Sequence, residues 1–266
     1  MQKTLFDIIE EEGTIFKNRD VFNIDYVPEI YKFRDYQLES MIAYSKKLKF
    51  NKAPSNMYLK GNNATGKTST LKKYFEIINS YFDNVITIHI NCQIYTTEYR
   101  IYSKIYKRIF NKPIANLNSV DFHDEIMNYL IERKKILIIA LDDYEVLKNS
   151  IELNKTLYSL LRAHETYPEV QIAIITITSK KENIYLNLNV STLFLPIEIK
   201  FPHYRKDEIK SILTQRVELG FYPGVINENY LKKLINKTYF KGNIRYGIKK
   251  LEEDGLNAEF NGKTHI

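Results

Sequence analysis

Hydrophobic positions follow two rhythms that alternate over the first two hundred residues, and only one thereafter. Residues 33–48 put Leu38, Ile42 and Ser45 on one face with charges opposite, the period of an amphipathic helix. Pro28, upstream, discourages helix in the mixed stretch before it. The apolar run Met57-Tyr58-Leu59 predicts a strand, and 69–82 a helix. VITIHI at 85–90 reads as a strand, with helices at 100–110 and 122–132. ILIIAL at 136–141 is a strand, 153–166 a helix, QIAIITIT at 171–178 a strand, and IEIKF at 197–201 the last strand. Strands separated by helices imply a parallel sheet flanked by helices on both faces. The unbroken apolar runs mark strands covered on both sides. After Pro202 the pattern gives three helices, at 206–219, 227–236 and 243–253, with no strand between them. The expected organisation is a loosely attached segment 1–14, an αβα base domain 15–202 with a central parallel sheet, and a small all-helical domain 203–266.

Composition narrows the classes. Hydrophobic residues make up 44% and charged residues 27%, values of a folded globular chain and not of a disordered one. No run of about 18 apolar residues offers a membrane span. The start, MQKTLFDIIEEEG, lacks the basic and apolar blocks of a secretion signal. Cys92 is the one cysteine, so an internal disulfide is impossible and a reducing cytoplasm is the expected setting. One Cys and five scattered His also argue against a structural zinc site. The net charge of +7 permits nucleic acid as a partner without demanding it.

The chemistry concentrates in Gly61-Asn62-Asn63-Ala64-Thr65-Gly66-Lys67-Thr68, which fits G-x-x-x-x-G-K-[ST] between a strand and a helix. Glycines let the backbone curl, so that successive N–H groups of Asn63 to Ser69 point at phosphate oxygens. The following helix adds its positive end. Lys67 would reach the outer phosphates of ATP or ADP, and the Thr68 hydroxyl would ligate Mg²⁺. A second metal carboxylate is expected at the end of a neighbouring strand, where Asp142 follows ILIIAL. Asp142 would hold Mg²⁺ directly or through water, and Asp143 would orient the attacking water. The competing reading of Asp142-Asp143 is a helix cap.

With those residues in place, the chain resembles the archaeal Orc1/Cdc6 DNA replication initiators, a branch of the AAA+ ATPases, over about residues 15–251. The resemblance is carried by IFKNRDVFNIDYVPE and FRDYQLE before the P-loop and INCQIYTTEYR after the second strand. LYSLLRAHETYPEVQIAIITITS, RVELGFYPGVI and GNIRYGIKKLE continue it. It implies a nucleotide between the αβα base and the helical lid, with the stretch from Tyr26 and Val27 to Arg34 lying over adenine. It implies that Arg245 is the sensor 2 arginine on the γ-phosphate, its helix capped by Asn243. Partners implied are origin double-stranded DNA, other initiator subunits and helicase-loading proteins. Family members continue with a winged-helix domain, for which 266 residues leave no room. The chain is therefore expected to be a short form or a fragment that touches DNA through its ATPase base.

Departures from the family pattern set the expected mechanism. The usual Asp-Glu pair is Asp142-Asp143, one CH₂ short, and misplacement of about 1 Å can cost 10²-fold. The usual sensor 1 Asn is replaced by Ser179 or, by a one-step slip, Thr178. Asn189 stands where the family carries an arginine finger, which contributes about 10³–10⁵ in rate. Binding parts are kept and hydrolysis parts eroded, so slow hydrolysis is expected. An active loader completed by a partner's arginine, and a switch that binds protein instead of DNA, are the alternatives. For DNA, Arg100, Lys104, Lys107, Arg108 and Lys112 fall on one helical face, with Ile101, Ile105 and Ile109 on another. The resemblance places a DNA-contacting insertion there; the alternative is a solvated face whose Lys stems cover core.

Overall fold

The computed structural model describes residues 15–23, 26–28, 31–112, 118–147, 151–179 and 186–266. Residues 1–14, expected to be a loose segment, and Glu29 of the expected adenine-covering stretch lie outside the described residues. In chain order the long helices and the strands are α1 (Asp35–Tyr44), β1 (Met57–Lys60), α2 (Lys67–Tyr81), β2 (Val85–Asn91), α3 (Glu98–Phe110) and α4 (Ser119–Glu132). They continue with β3 (Ile136–Asp142), α5 (Ile151–Leu161), β4 (Gln171–Thr178), β5 (Ile197–Lys200), α6 (Lys206–Gly220), α7 (Glu228–Lys241) and α8 (Ile244–Phe260). The strands pair in parallel in the order β2-β3-β4-β1-β5. This is the expected αβα P-loop architecture, with all strands ending at the same edge.

The apolar continuity of β3 has a direct cause. Leu137, Ile139 and Leu141 point into a core shared with Ile101 and Ile105 of α3, Phe122 and Ile126 of α4, and Leu153 and Leu157 of α5. Ile136, Ile138 and Ala140 point into the opposite core, with Met41 of α1 and Leu71, Tyr74 and Ile78 of α2. Alternate residues of a strand face opposite sides, so a strand covered twice must be apolar throughout.

Two expected helices are each divided in two. The amphipathic run 33–48 is α1 followed by a 3-10 helix, Lys46–Phe50. At the break, buried Ser45 donates through Oγ to the Met41 carbonyl (2.7 Å) and meets the Tyr74 hydroxyl (2.6 Å). The run 153–166 divides into α5 and the short helix Ala163–Thr166. In the other direction, α7 runs to Lys241, where Gly242 at φ 60° ends it in the left-handed conformation.

The base and the helical unit are each compact, but their composition departs from the expected 15–202 and 203–266. The described residues up to Phe33 belong with 203–266, and the base is Arg34–Pro202. The reason is aromatic burial. Phe16 and Phe22 both lie with ring centroids 5.0 Å from Phe221, and Ile15, Val21 and Phe22 join Leu213, Leu234 and Leu251 in one core. Arg216 completes the strap, donating to the carbonyls of Val21 (2.6 Å) and Tyr26 (3.3 Å) with its guanidinium over the Tyr26 ring. Phe22→Ala should therefore cost about 3–5 kcal/mol, as for other buried Phe truncations, read by chemical denaturation of the helical unit. Tyr36→Ala, at a position 75% exposed in the base, should change stability by less than about 0.5 kcal/mol. Equal effects of the two would contradict this packing.

Candidate nucleotide-binding site

The P-loop leaves β1 and enters α2 at the edge where the strands end. Two glycines make its path possible. A Cβ on Gly61 would stand 2.3 Å from the Phe201 carbonyl oxygen, and Gly66, the N-cap of α2, has φ 89°. Gly61 N donates to the Thr178 carbonyl (3.3 Å), fastening the loop to β4. Arg34, 2% exposed, fastens the other side by donating to the carbonyls of Thr65 (2.8 Å) and Pro202 (2.9 Å). Arg34, expected beside adenine, braces the loop through these two bonds. Asn63 is exposed at the turn of the loop, Ala64 is buried at φ 59°, and Ser69 is half-buried in the first turn of α2.

Lys67 is 6% exposed and its ammonium is drawn into the loop. It donates to the carbonyls of Gly61 (2.8 Å) and Asn62 (2.9 Å) and to Ser179 Oγ (3.1 Å). Of the two hydroxyls expected at the end of β4, that of Ser179 lies at the loop through this bond, and Thr178 is 1% exposed within the sheet. Ser179 N in turn donates to Glu145 Oε1 (3.2 Å).

Asp142 ends β3, is 7% exposed, and has both oxygens engaged. Its Oδ2 accepts from Thr68 Oγ1 (2.8 Å) and lies 2.9 Å from His89 Nε2, and its Oδ1 accepts from Asp143 N (3.0 Å). Burial works against its charge, but the bonds from His89 and Thr68 outweigh it and hold the carboxyl below its ordinary value. Asp143 goes the other way, raised by burial and by the charges of Asp142 and Glu145, against which Lys67 acts. Its backbone is left-handed, φ 53°. Cys92 is buried beside them, its thiol pushed up to about 12 chiefly by burial, which makes it an inert core residue.

His89 and Glu145 were invisible as site residues in the sequence. The signal for His89 was a polar residue inside an apolar strand. In register it pairs with Ala140, so it shares the Asp142 face of the sheet. Glu145 has no motif; only the turn after β3 brings it to Ser179.

These groups suit a magnesium nucleotide. The N–H groups at the start of a fifteen-residue helix and a buried ammonium favour phosphate oxygens. A threonine hydroxyl and a carboxylate are hard oxygen ligands of the kind Mg²⁺ takes together with phosphates. Among the described residues no cluster of three His, Cys, Asp or Glu could hold a metal by itself.

A family model described as "AAA domain" matches residues 51–181. The chain is 38% identical over 261 residues to the ORC1-type DNA replication protein 2 of Methanothermobacter thermautotrophicus, covering 97% of this chain and 69% of that protein. The chain belongs to the ORC1-type DNA replication proteins. Its structure is similar to that of the Aeropyrum pernix Orc1 protein in complex with DNA, with a TM-score of 0.82, 25% identity and coverage of 96% and 68% of the two chains. The Aeropyrum pernix ORC2 protein, in ADPNP-ADP complexes, shares the fold at a TM-score of 0.79 and 23% identity, covering 95% of this chain and 70% of that one.

Other residues expected from the ORC1-type pattern fall as follows. Tyr26 and Val27 are half-buried in the helical unit, Tyr26 under Arg216. Arg245 is exposed in the first turn of α8, its N–H donating to the Asn243 cap (3.0 Å). Asn189 is exposed in the short helix Leu188–Ser191. On α3, Arg100, Lys107 and Arg108 are exposed, and Lys104 is half-buried with its ammonium 5.5 Å from the Tyr95 ring centre. Ile101 and Ile105 are fully buried beneath them. Lys112 does not extend this row: α3 ends at Phe110, and Asn111 at φ 49° turns the chain away. Among the described residues no helix is long and apolar enough to cross a membrane.

The Asp143 shift has a testable sign. Its folded pKa lies above the unfolded value of 3.8, so the fold favours the protonated form. The repulsion is absent well below that value and grows as pH rises through the raised pKa. Asp143→Asn should raise Tm at pH 7 by about 1–2 °C, and the gain should vanish below about pH 3. A lower Tm at pH 7 would contradict the assignment.

Proposed function

We propose that this ORC1-type protein binds ATP or ADP with Mg²⁺ at the P-loop, hydrolyses ATP slowly, and contacts double-stranded DNA through α3 in replication initiation. The observation that carries the reading is the convergence of Lys67 and Thr68, Asp142 and Ser179 from three chain segments on one loop. The α2 N–H groups and Lys67 would bind the phosphates, Lys67 exchanging its loop carbonyls for phosphate oxygens. Thr68 and Asp142 would hold Mg²⁺, which neutralises phosphate charge. Tyr26, Val27 and Arg245 would serve from the helical unit, as the family pattern implies.

Slow turnover follows from the same residues. The Asp143 carboxylate that would orient water is one CH₂ short, Ser179 replaces a longer amide, and Asn189 carries no charge. The nucleotide then acts as a long-lived ligand that biases two arrangements of the chain. A fluorescent-nucleotide titration tests binding: Lys67→Ala should abolish it, and normal affinity in that variant would contradict the P-loop reading. Single-turnover hydrolysis faster than about 1 s⁻¹, an ordinary enzymatic rate, would contradict slow turnover.

The A. pernix Orc1 structure with DNA, together with the exposed Arg100, Lys107 and Arg108 on a firmly packed helix, supports duplex contact by α3. Such contact reads the phosphate backbone and falls steeply with salt. Reversing Arg100, Lys104 and Arg108 to Glu together should weaken duplex binding more than tenfold and flatten its salt dependence, with little change in Tm. Unchanged anisotropy titrations would remove α3 from the interface.

A further inference from the structure

A second basic surface lies at the opposite edge of the sheet, where the strands begin. Lys46, Lys47, Lys49 and Lys52 follow α1, and Arg133 and Lys134 follow α4. All six are exposed, and among the described residues none is in an ion pair. The segments are tied into one rim. Asn84 Nδ2 donates to Asn51 Oδ1 (3.0 Å), Lys135 Nζ to the Asp83 carbonyl (2.8 Å), and Ile136 N to the Asn84 carbonyl (2.9 Å). Ala53 N donates to Gln171 Oε1 (2.9 Å), bringing the start of β4 to the same rim. The carboxylates of these segments are Asp83, Glu132 and Glu169, so positive charge dominates. Along β3 the rim lies about 20 Å from the P-loop edge, at roughly 3.3 Å per residue.

Two aromatic side chains stand out on the same segments. Phe50, between Lys49 and Asn51, is 77% exposed, and Tyr81, at the end of α2, is 80% exposed. Cations at helix ends find a role in complementing helix dipoles. Exposed rings have no such role, and the contact of their apolar surface with water is unfavourable. Rings interleaved with cations match the chemistry of an unpaired nucleic-acid strand: phosphates along the cations, bases stacked on the rings. Duplex DNA offers no base faces, and an acidic peptide gains little from stacking.

We propose that this rim binds single-stranded nucleic acid. The surface goes beyond the duplex contact assigned to α3 and uses neither that helix face nor the nucleotide site. The test is fluorescence anisotropy of the full chain with a labelled oligothymidylate of about 20 nucleotides, and with a duplex, at two salt concentrations. Phe50→Ser with Tyr81→Ser should weaken oligothymidylate binding about tenfold or more and leave duplex binding unchanged. Lys49→Glu, Lys52→Glu and Lys134→Glu together should weaken it further and flatten its salt dependence. Oligothymidylate affinity unchanged in either variant overturns the proposal. So does equal loss of duplex and single-strand binding in the aromatic variant, and so does polyglutamate binding the wild type more tightly than the oligonucleotide. Photocrosslinking of the unmodified protein to a 5-iodouracil oligonucleotide gives a check free of folding effects. Crosslinks within 46–52, 81–84 or 133–135 support the rim, and crosslinks confined to other segments overturn it.

Discussion

One buried carboxylate organises the nucleotide edge. Asp142 ends a strand whose other positions are apolar, and a charge there is tolerated only because hydrogen-bond donors surround it. Those donors come from the first turn of α2, from β2 and from its own chain neighbour. The requirement to satisfy Asp142 therefore fixes the P-loop helix against the two strands that flank the site. The same carboxylate raises the cost of ionising Asp143, so one residue sets the charge state of the next. Lys67 is arranged by the same logic: its buried ammonium donates to two loop carbonyls and to the Ser179 hydroxyl.

The base and the helical unit solve burial differently. The base has two cores separated by the sheet, and each strand's alternation feeds both. The helical unit has three long helices, too few to enclose their apolar faces alone. It recruits residues from far upstream, where Phe16 and Phe22 lie on Phe221 and Arg216 grips the strap by its carbonyls. Tyr26 and Val27, expected over adenine, are thereby part of the helical unit. In the proposed function, nucleotide contacts from Tyr26 and Arg245 would act on the same compact unit.

Cations of the base gather on two surfaces of different character. The α3 row is rigid, because Ile101 and Ile105 are fully buried beneath it. The rim at the strand starts is built from helix exits and carries rings as well as cations. A regular row on one helix presents charge at a fixed spacing, which suits the regular phosphates of a duplex, whereas rings need bases that are free to stack.

Much of this protein was legible from residue order alone. Strand and helix alternation, the double coverage of β3 and the phosphate loop all follow from local rules: period, glycine placement and a motif between strand and helix. QIAIITIT at 171–178 forms its strand at the expected limits because its apolar run is bounded by polar residues. Tertiary structure decided what local rules cannot carry. Ser45 breaks a helix because Tyr74, 29 residues on, offers its hydroxyl. The described residues among 15–33 join the helical unit because the aromatic partner of Phe16 and Phe22, Phe221, lies about two hundred positions away. Arg34 reaches the Thr65 carbonyl, Ser179 reaches Lys67, and His89 is brought to Asp142 by strand register. Periodicity states which face a residue occupies, while the neighbour on that face depends on strand order and the path of the whole chain.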